Sequence, residues 1–115
     1  MNRKLIFTLL FLLCTAAIIV IASLPNVGKM PFSNFDKLVH FAEFFILTLI
    51  LGNSILLYNP KNKALLLFAI SFGIAIISEL IQLPIKTRSF SYYDLLADLA
   101  GIALAYALQC KSYRQ

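Results

Sequence analysis

Twenty consecutive residues, Leu5–Leu24, carry no charge. A helix of that length, rising about 1.5 Å per residue, matches a hydrocarbon core of roughly 30 Å. Three further apolar runs follow, Leu38–Tyr58, Ala64–Ile85 and Tyr93–Gln109. The gaps hold the turn-forming residues: Pro25 and Pro31, then Asn59-Pro60-Lys61-Asn62-Lys63, then Pro84 and the polar stretch Lys86–Tyr92. Strands in lipid would leave backbone groups unpaired, and the alternation of a barrel is absent. The reading is all-α: a polytopic membrane protein, a four-transmembrane-helix bundle with helices at about 5–24, 38–58, 64–85 and 93–110, one domain across residues 1–115.

Composition agrees. Of 115 residues 61% are apolar and 13% charged, about half the charged share of a soluble domain. A soluble globule this small leaves too much of its area exposed to hide such a surface. The net charge of +5 sits in short gaps, where anionic lipid heads, and not nucleic acid, are the fitting partner. Arg3 and Lys4 precede the first run, which is longer than the roughly 7–15 residues of a secretory core segment. Leu13 before Cys14 does not suit a lipoprotein cleavage box, so an uncleaved signal anchor is expected. Cys14 and Cys110 read as small apolar fillers.

Basic residues set the expected orientation. Arg3, Lys4, Lys61, Lys63, Lys111 and Arg114 fall on one side; Lys29, Lys37, Lys86 and Arg88 fall on the other. The bias puts both termini in the cytoplasm.

Intramembrane charges cost roughly 2.5–3.5 kcal/mol each on insertion scales, so each needs a reason. His40 and Glu43 open helix two, Glu79 and Gln82 close helix three, and Asp94 and Asp98 open helix four. Antiparallel neighbours bring these ends to one side, within roughly 10 Å of the same surface, together with Asp36, Lys37, Lys86, Arg88 and Ser91. Phe44–Tyr58, Ala64–Ser78 and Leu99–Gln109 hold no charge. Each polar pair is spaced i,i+3 or i,i+4 and so shares a helix face. Ala97-x3-Gly101-x3-Ala105 and Ser71-x3-Ala75-x3-Glu79 supply small residues that let backbones approach closely in lipid.

Plainer roles stand beside this. Ser33-x-x-Asp36 and Ser91-x-x-Asp94 fit capping boxes. Arg88 and the carboxylates fit a structural ion-pair network. Lys37 and Lys86 fit snorkelling. Glu79 is the residue that capping does not explain. His40, Glu43, Glu79, Asp94 and Asp98 are hard ligands, but His-x2-Glu is no zinc box and the chain has one histidine, so no metal and no cofactor are expected. Ser91 lacks an orienting motif for nucleophilic catalysis.

The ordered set Asp36-Lys37-x2-His40-Phe41-x2-Phe44, Glu79-x2-Gln82, Arg88-x2-Ser91-x2-Asp94 and Asp98-x2-Gly101 resembles the VanZ-like family of small bacterial membrane proteins. That family's pattern is D-K-x2-H-x3-[FY], E-x2-Q and R-x2-S-x2-D-x3-N-x2-G. The likeness covers about Phe35–Ala105. Asp98 stands where the pattern has Asn, and Glu43 adds an acid to a usually apolar stretch. The resemblance implies a multi-pass protein of the bacterial cell membrane. The family's name-giving member contributes to resistance against the glycopeptide teicoplanin at the cell envelope.

Two functions fit the residues. One is a binding or accessory protein whose outward pocket holds a polar head group or a lipid-linked envelope precursor. Asp36, Lys37, His40, Glu79, Gln82, Arg88, Ser91, Asp94 and Asp98 would line it, with Arg88 gripping phosphate in bidentate fashion. The other is an enzyme on a lipid-linked substrate, with His40 or Glu79 as general base, Asp94 or Asp98 as partner acid and Arg88 stabilising an anion.

Overall fold

The computed structural model describes residues 2–23, 35–82 and 92–113. They form four helices: α1 (Arg3–Ser23), α2 (Phe35–Tyr58), α3 (Lys63–Gln82) and α4 (Tyr92–Tyr113). Among the described residues there is no strand. The helix ends follow from local chemistry. Asn2 Oδ1 accepts the Leu5 amide at 3.1 Å and starts α1. At the end of α2, Asn59 takes a φ of 54°, and its amide bonds the Ile55 carbonyl at 2.8 Å. Asn tolerates this left-handed cap, and Pro60 cannot continue the helix. Two ends differ from expectation by three residues. α2 begins three residues before Leu38, and α4 runs on past Cys110 to Tyr113. The expected end of α3 at Ile85 lies outside the described residues.

The helices run up and down. Thr8 on α1 meets the hydroxyl of Tyr58 on α2 at 3.1 Å, and Lys4 lies 5.4 Å over the same ring. The start of α1 therefore lies at the end of α2. Among the described residues α2 packs against all three other helices and most extensively against α4, and α3 also touches α1 and α4. Ile18, Phe44, Leu47, Ala75 and Ile102 form the main core cluster, one from α1, two from α2 and one each from α3 and α4. Leu51, Ile55 and Leu67 form a second one toward the Tyr58 end.

Small residues decide how close the helices come. A Cβ added at Gly101 would lie 2.5 Å from the Phe41 carbonyl oxygen and 2.9 Å from the Phe45 nitrogen. The small-residue stripe of α4 therefore receives the backbone of α2. Ala105, on the same stripe, is fully buried, as are Ser71 and Ala75 on α3. Buried hydroxyls add weak polar links. Thr48 on α2 donates to Ser71 on α3 at 3.4 Å, and Ser78 donates to the Ala75 carbonyl at 2.8 Å.

The outside of the bundle is apolar. Leu9, Leu12, Leu13 and Val20 on α1, Leu65 and Ile77 on α3, and Leu104 and Leu108 on α4 are exposed. Among the described residues, three segments are long and apolar enough to cross a membrane: Arg3–Ile21, Lys37–Tyr58 and Lys63–Ile81, with mean hydropathies of 2.6, 1.8 and 2.4. α4 has comparable length at 22 residues, but Asp94, Asp98 and Lys111 dilute its apolar character. Cys14 and Cys110 are both free thiols.

Candidate functional site

The charged residues gather where the start of α2, the end of α3 and the start of α4 meet. His40 lies one turn into α2, because Phe35–Tyr58 forms a single helix with no interior proline. The residue is buried, 8% exposed. His40 Nδ1–H donates to Asp98 Oδ1 on α4 at 3.0 Å. On the other side of the ring, Nε2 lies 3.6 Å from Asp94 Oδ2 and 3.9 Å from Glu79 Oε1 on α3. One imidazole thus touches carboxylates from two other helices. Asp94 and Asp98 reach it together because i,i+4 spacing stacks them on one face of α4.

Burial is deepest at Glu79 and Asp98, both at 0% exposure, with Asp94 at 7%. Lys37, one turn before His40 on the same helix, sits at the edge. Its Nζ is 3.7 Å from Asp94 Oδ1, and its side chain is about a third exposed. Asp98 Oδ2 is fully buried and has no hydrogen-bond partner among the described residues. Glu43, the next acid along α2, is half-buried and contributes to the negative field at His40.

Sequence spacing alone brought together His40, Glu79, Asp94, Asp98 and Lys37, and the structure joins all five in one cluster. Asp36 and Gln82 lie on α2 and α3, with their side chains outside the described set; Arg88, Ser91 and Lys86 lie outside the described residues altogether. The capping role of Asp36 falls there too. Asp94, the third residue of α4, points at His40 and Lys37. One polar contact was not anticipated. Gln109 Nε2 donates to the Leu49 carbonyl at 3.2 Å and ties the far half of α4 to α2. A lone amide late in an apolar run was the available signal.

The VanZ/LLP1 family model matches residues 4–111, nearly the whole chain. The chain belongs to the VanZ/LLP1 family. No curated protein and no solved structure matches it. Membership accounts for the membrane-type helices and links the protein to the cell envelope. Against the VanZ-like pattern described above, Asp98 fills the Asn position and uses that place to orient His40. The Gly three residues on lies against the α2 backbone at Phe41 and Phe45.

Chemically, the cluster offers an imidazole held in one orientation by a carboxylate, with its second nitrogen facing two more carboxylates. Such an arrangement holds a proton, a hydrogen-bonding head group or a cation.

Proposed function

We propose that this VanZ/LLP1 protein acts at the bacterial cell envelope by binding the polar head group of a lipid-linked envelope precursor at the His40–Glu79–Asp94–Asp98 cluster. The observation that carries the reading is the meeting of four titratable side chains at one end of a bundle whose remaining interior is uncharged. Polar groups at such a depth are costly unless paired or functional. In this reading all four helices cross the membrane, both termini are cytoplasmic and the cluster faces outward, as the basic-residue bias favours. Lys37 at the rim belongs to the binding surface, and from the sequence Asp36, Gln82, Lys86, Arg88 and Ser91 join it. The family link makes glycopeptides such as teicoplanin the first envelope-active antibiotics to test.

One observation favours a second reading, catalysis on the same class of substrate. The His40–Asp98 hydrogen bond at 3.0 Å orients the imidazole as a general base is oriented in hydrolytic sites. Asp94 and Glu79 beside Nε2 would then shuttle the proton.

Glu79→Gln tests the shared core of both readings, because it nearly keeps shape and hydrogen bonding while removing the charge. We expect the variant to accumulate normally yet match the deletion strain in sensitivity to envelope-active antibiotics. A Glu79→Gln strain that behaves like wild type, where the deletion strain has a clear phenotype, removes the functional role of the cluster. Mass spectrometry of lipids retained in mild detergent then identifies the ligand, and turnover of that lipid separates enzyme from binder.

A further inference from the structure

We infer that His40, Glu79 and Asp98 form a site for one divalent transition-metal cation of the Mn²⁺ or Zn²⁺ type. The inference deepens the proposed function and rests on the same cluster.

The geometry comes first. One ligand atom from each of the three residues can be chosen so that all lie within 4.8 Å of one another, and all three residues are buried. Three atoms bound to one ion at about 2.0–2.2 Å lie roughly 3.3–3.8 Å from one another. His40 Nε2 and Glu79 Oε1 are 3.9 Å apart, and side-chain torsions that draw the wider pairs in by up to about 1 Å close the set around an ion. The ligands come from three helices, α2, α3 and α4, so a motif search along one segment does not find them. Gly101 lets two of those helices pack backbone to backbone, one turn from Asp98.

An independent observation points the same way. Asp98 is 0% exposed, and its Oδ2 is buried with no hydrogen-bond partner among the described residues. Leaving a charged acceptor unsatisfied in low dielectric is costly. A cation beside Oδ1 and Oδ2 removes that cost. Among the described residues the charge balance also favours an ion: around the ring stand Glu79, Asp94 and Asp98, with Glu43 further along α2, against Lys37 and the imidazole. One imidazole with two carboxylates is a donor set that suits Mn²⁺, Fe²⁺ or Zn²⁺ better than Ca²⁺. Asp94, 3.6 Å from Nε2, stands ready as a further ligand or as the acceptor of the displaced imidazole proton. The cation would add to Lys37 a further means of attracting a phosphate-bearing head group past carboxylates that repel it.

Full-length protein carrying a histidine-free tag is purified in nanodiscs, stripped with chelator, loaded with Mn²⁺ or Zn²⁺, desalted and assayed for metal. About one ion per chain is expected. His40→Gln and Asp98→Asn should each lower the affinity at least about 10–100-fold, the range found even for groups one step removed from a metal. Stoichiometry near zero in the wild type, or undiminished binding in both folded variants, overturns the inference. Should the variants not fold, the wild type still decides the matter. His40 is the only histidine, so with ¹⁵N-histidine labelling any imidazole coupling in the Mn²⁺ electron-spin-echo spectrum comes from it. Bound Mn²⁺ without that coupling also overturns the site. The two failures are distinguishable. A Glu79→Gln strain that matches the deletion strain, while wild-type protein holds no metal, ends the metal inference alone. Metal bound and lost as expected, with no phenotype in Glu79→Gln, ends the proposed function alone.

Discussion

Gly101→Ala adds one methyl group at the tightest point of the bundle. The new Cβ would lie 2.5 Å from the Phe41 carbonyl oxygen, where ordinary contact begins at 3.4 Å, and 2.9 Å from the Phe45 nitrogen. Both obstacles are backbone of α2, so no side chain can rotate away. The helices must separate by roughly 0.9 Å. Overpacking of this kind costs about 1–3 kcal/mol. The shift also acts at the site, because Phe41 adjoins His40 and Gly101 lies one turn from Asp98. A comparable lengthening of the 3.0 Å His40–Asp98 bond takes it out of hydrogen-bond range, and bonds to charged groups contribute about 1.5–3 kcal/mol. Better helix propensity returns about 0.8–1.0 kcal/mol. The net expectation is a loss of roughly 2–4 kcal/mol, read by denaturant titration in mixed micelles. Gly73→Ala is the control: its added Cβ meets nothing within 4 Å, so the same exchange should be neutral or stabilise by up to about 1 kcal/mol. Equal effects of the two substitutions would refute the claim that α2 and α4 meet backbone to methyl-free backbone.

Other outcomes follow from the same contacts. Asp98→Ala should destabilise by about 1–3 kcal/mol, since it leaves the buried Nδ1–H of His40 without its acceptor; Asp98→Asn, which keeps an acceptor of the same shape, should cost clearly less in the same titration. Gln109→Met gives up the 3.2 Å bond to Leu49 but also removes the buried, unpartnered Oε1, so the change should stay within about 1 kcal/mol. Arg88→Ala should lower thermal stability in detergent far more than Lys61→Ala; equal effects would exclude Arg88 from the cluster. Topology reporters at residues 30 and 88 should read outside, and those at 62 and 115 inside; an exterior signal at 62 with an interior one at 88 would invert the orientation.

Much of the bundle was legible because lipid imposes so few solutions. Length and apolarity located all four helices, and Pro60 after Asn59 marked the end of α2. Ends were less legible. α4 continues to Tyr113 because Lys111 and Ser112 satisfy a helix as well as a tail, and composition does not separate the two. The site was legible to the extent that helical spacing is two-dimensional. An i,i+4 pair fixes a face, and antiparallel order fixes a level, which together put His40, Glu79, Asp94 and Asp98 at one end. Which atom meets which is a property of the third dimension, set by how α2 and α4 rotate against one another around Gly101.

That rotation also explains why the chain gave no metal motif to read. Motifs such as His-x3-His are visible because both ligands ride on one helix, at a spacing fixed by 3.6 residues per turn. Here each helix contributes one group to the buried triad, and the spacing is fixed by packing. Glu43, at i+3 from His40, is the acid that one-dimensional reading pairs with the histidine, yet it stays half-buried on α2. The partners that meet the ring are Asp98, 58 positions away, and Glu79 on a third helix. Small residues at Gly101, Ala105, Ser71 and Ala75 draw the helices close enough for those groups to touch. The stripe of small residues and the scattered acids are therefore one feature: the first sets the helix separation at which the second becomes a site.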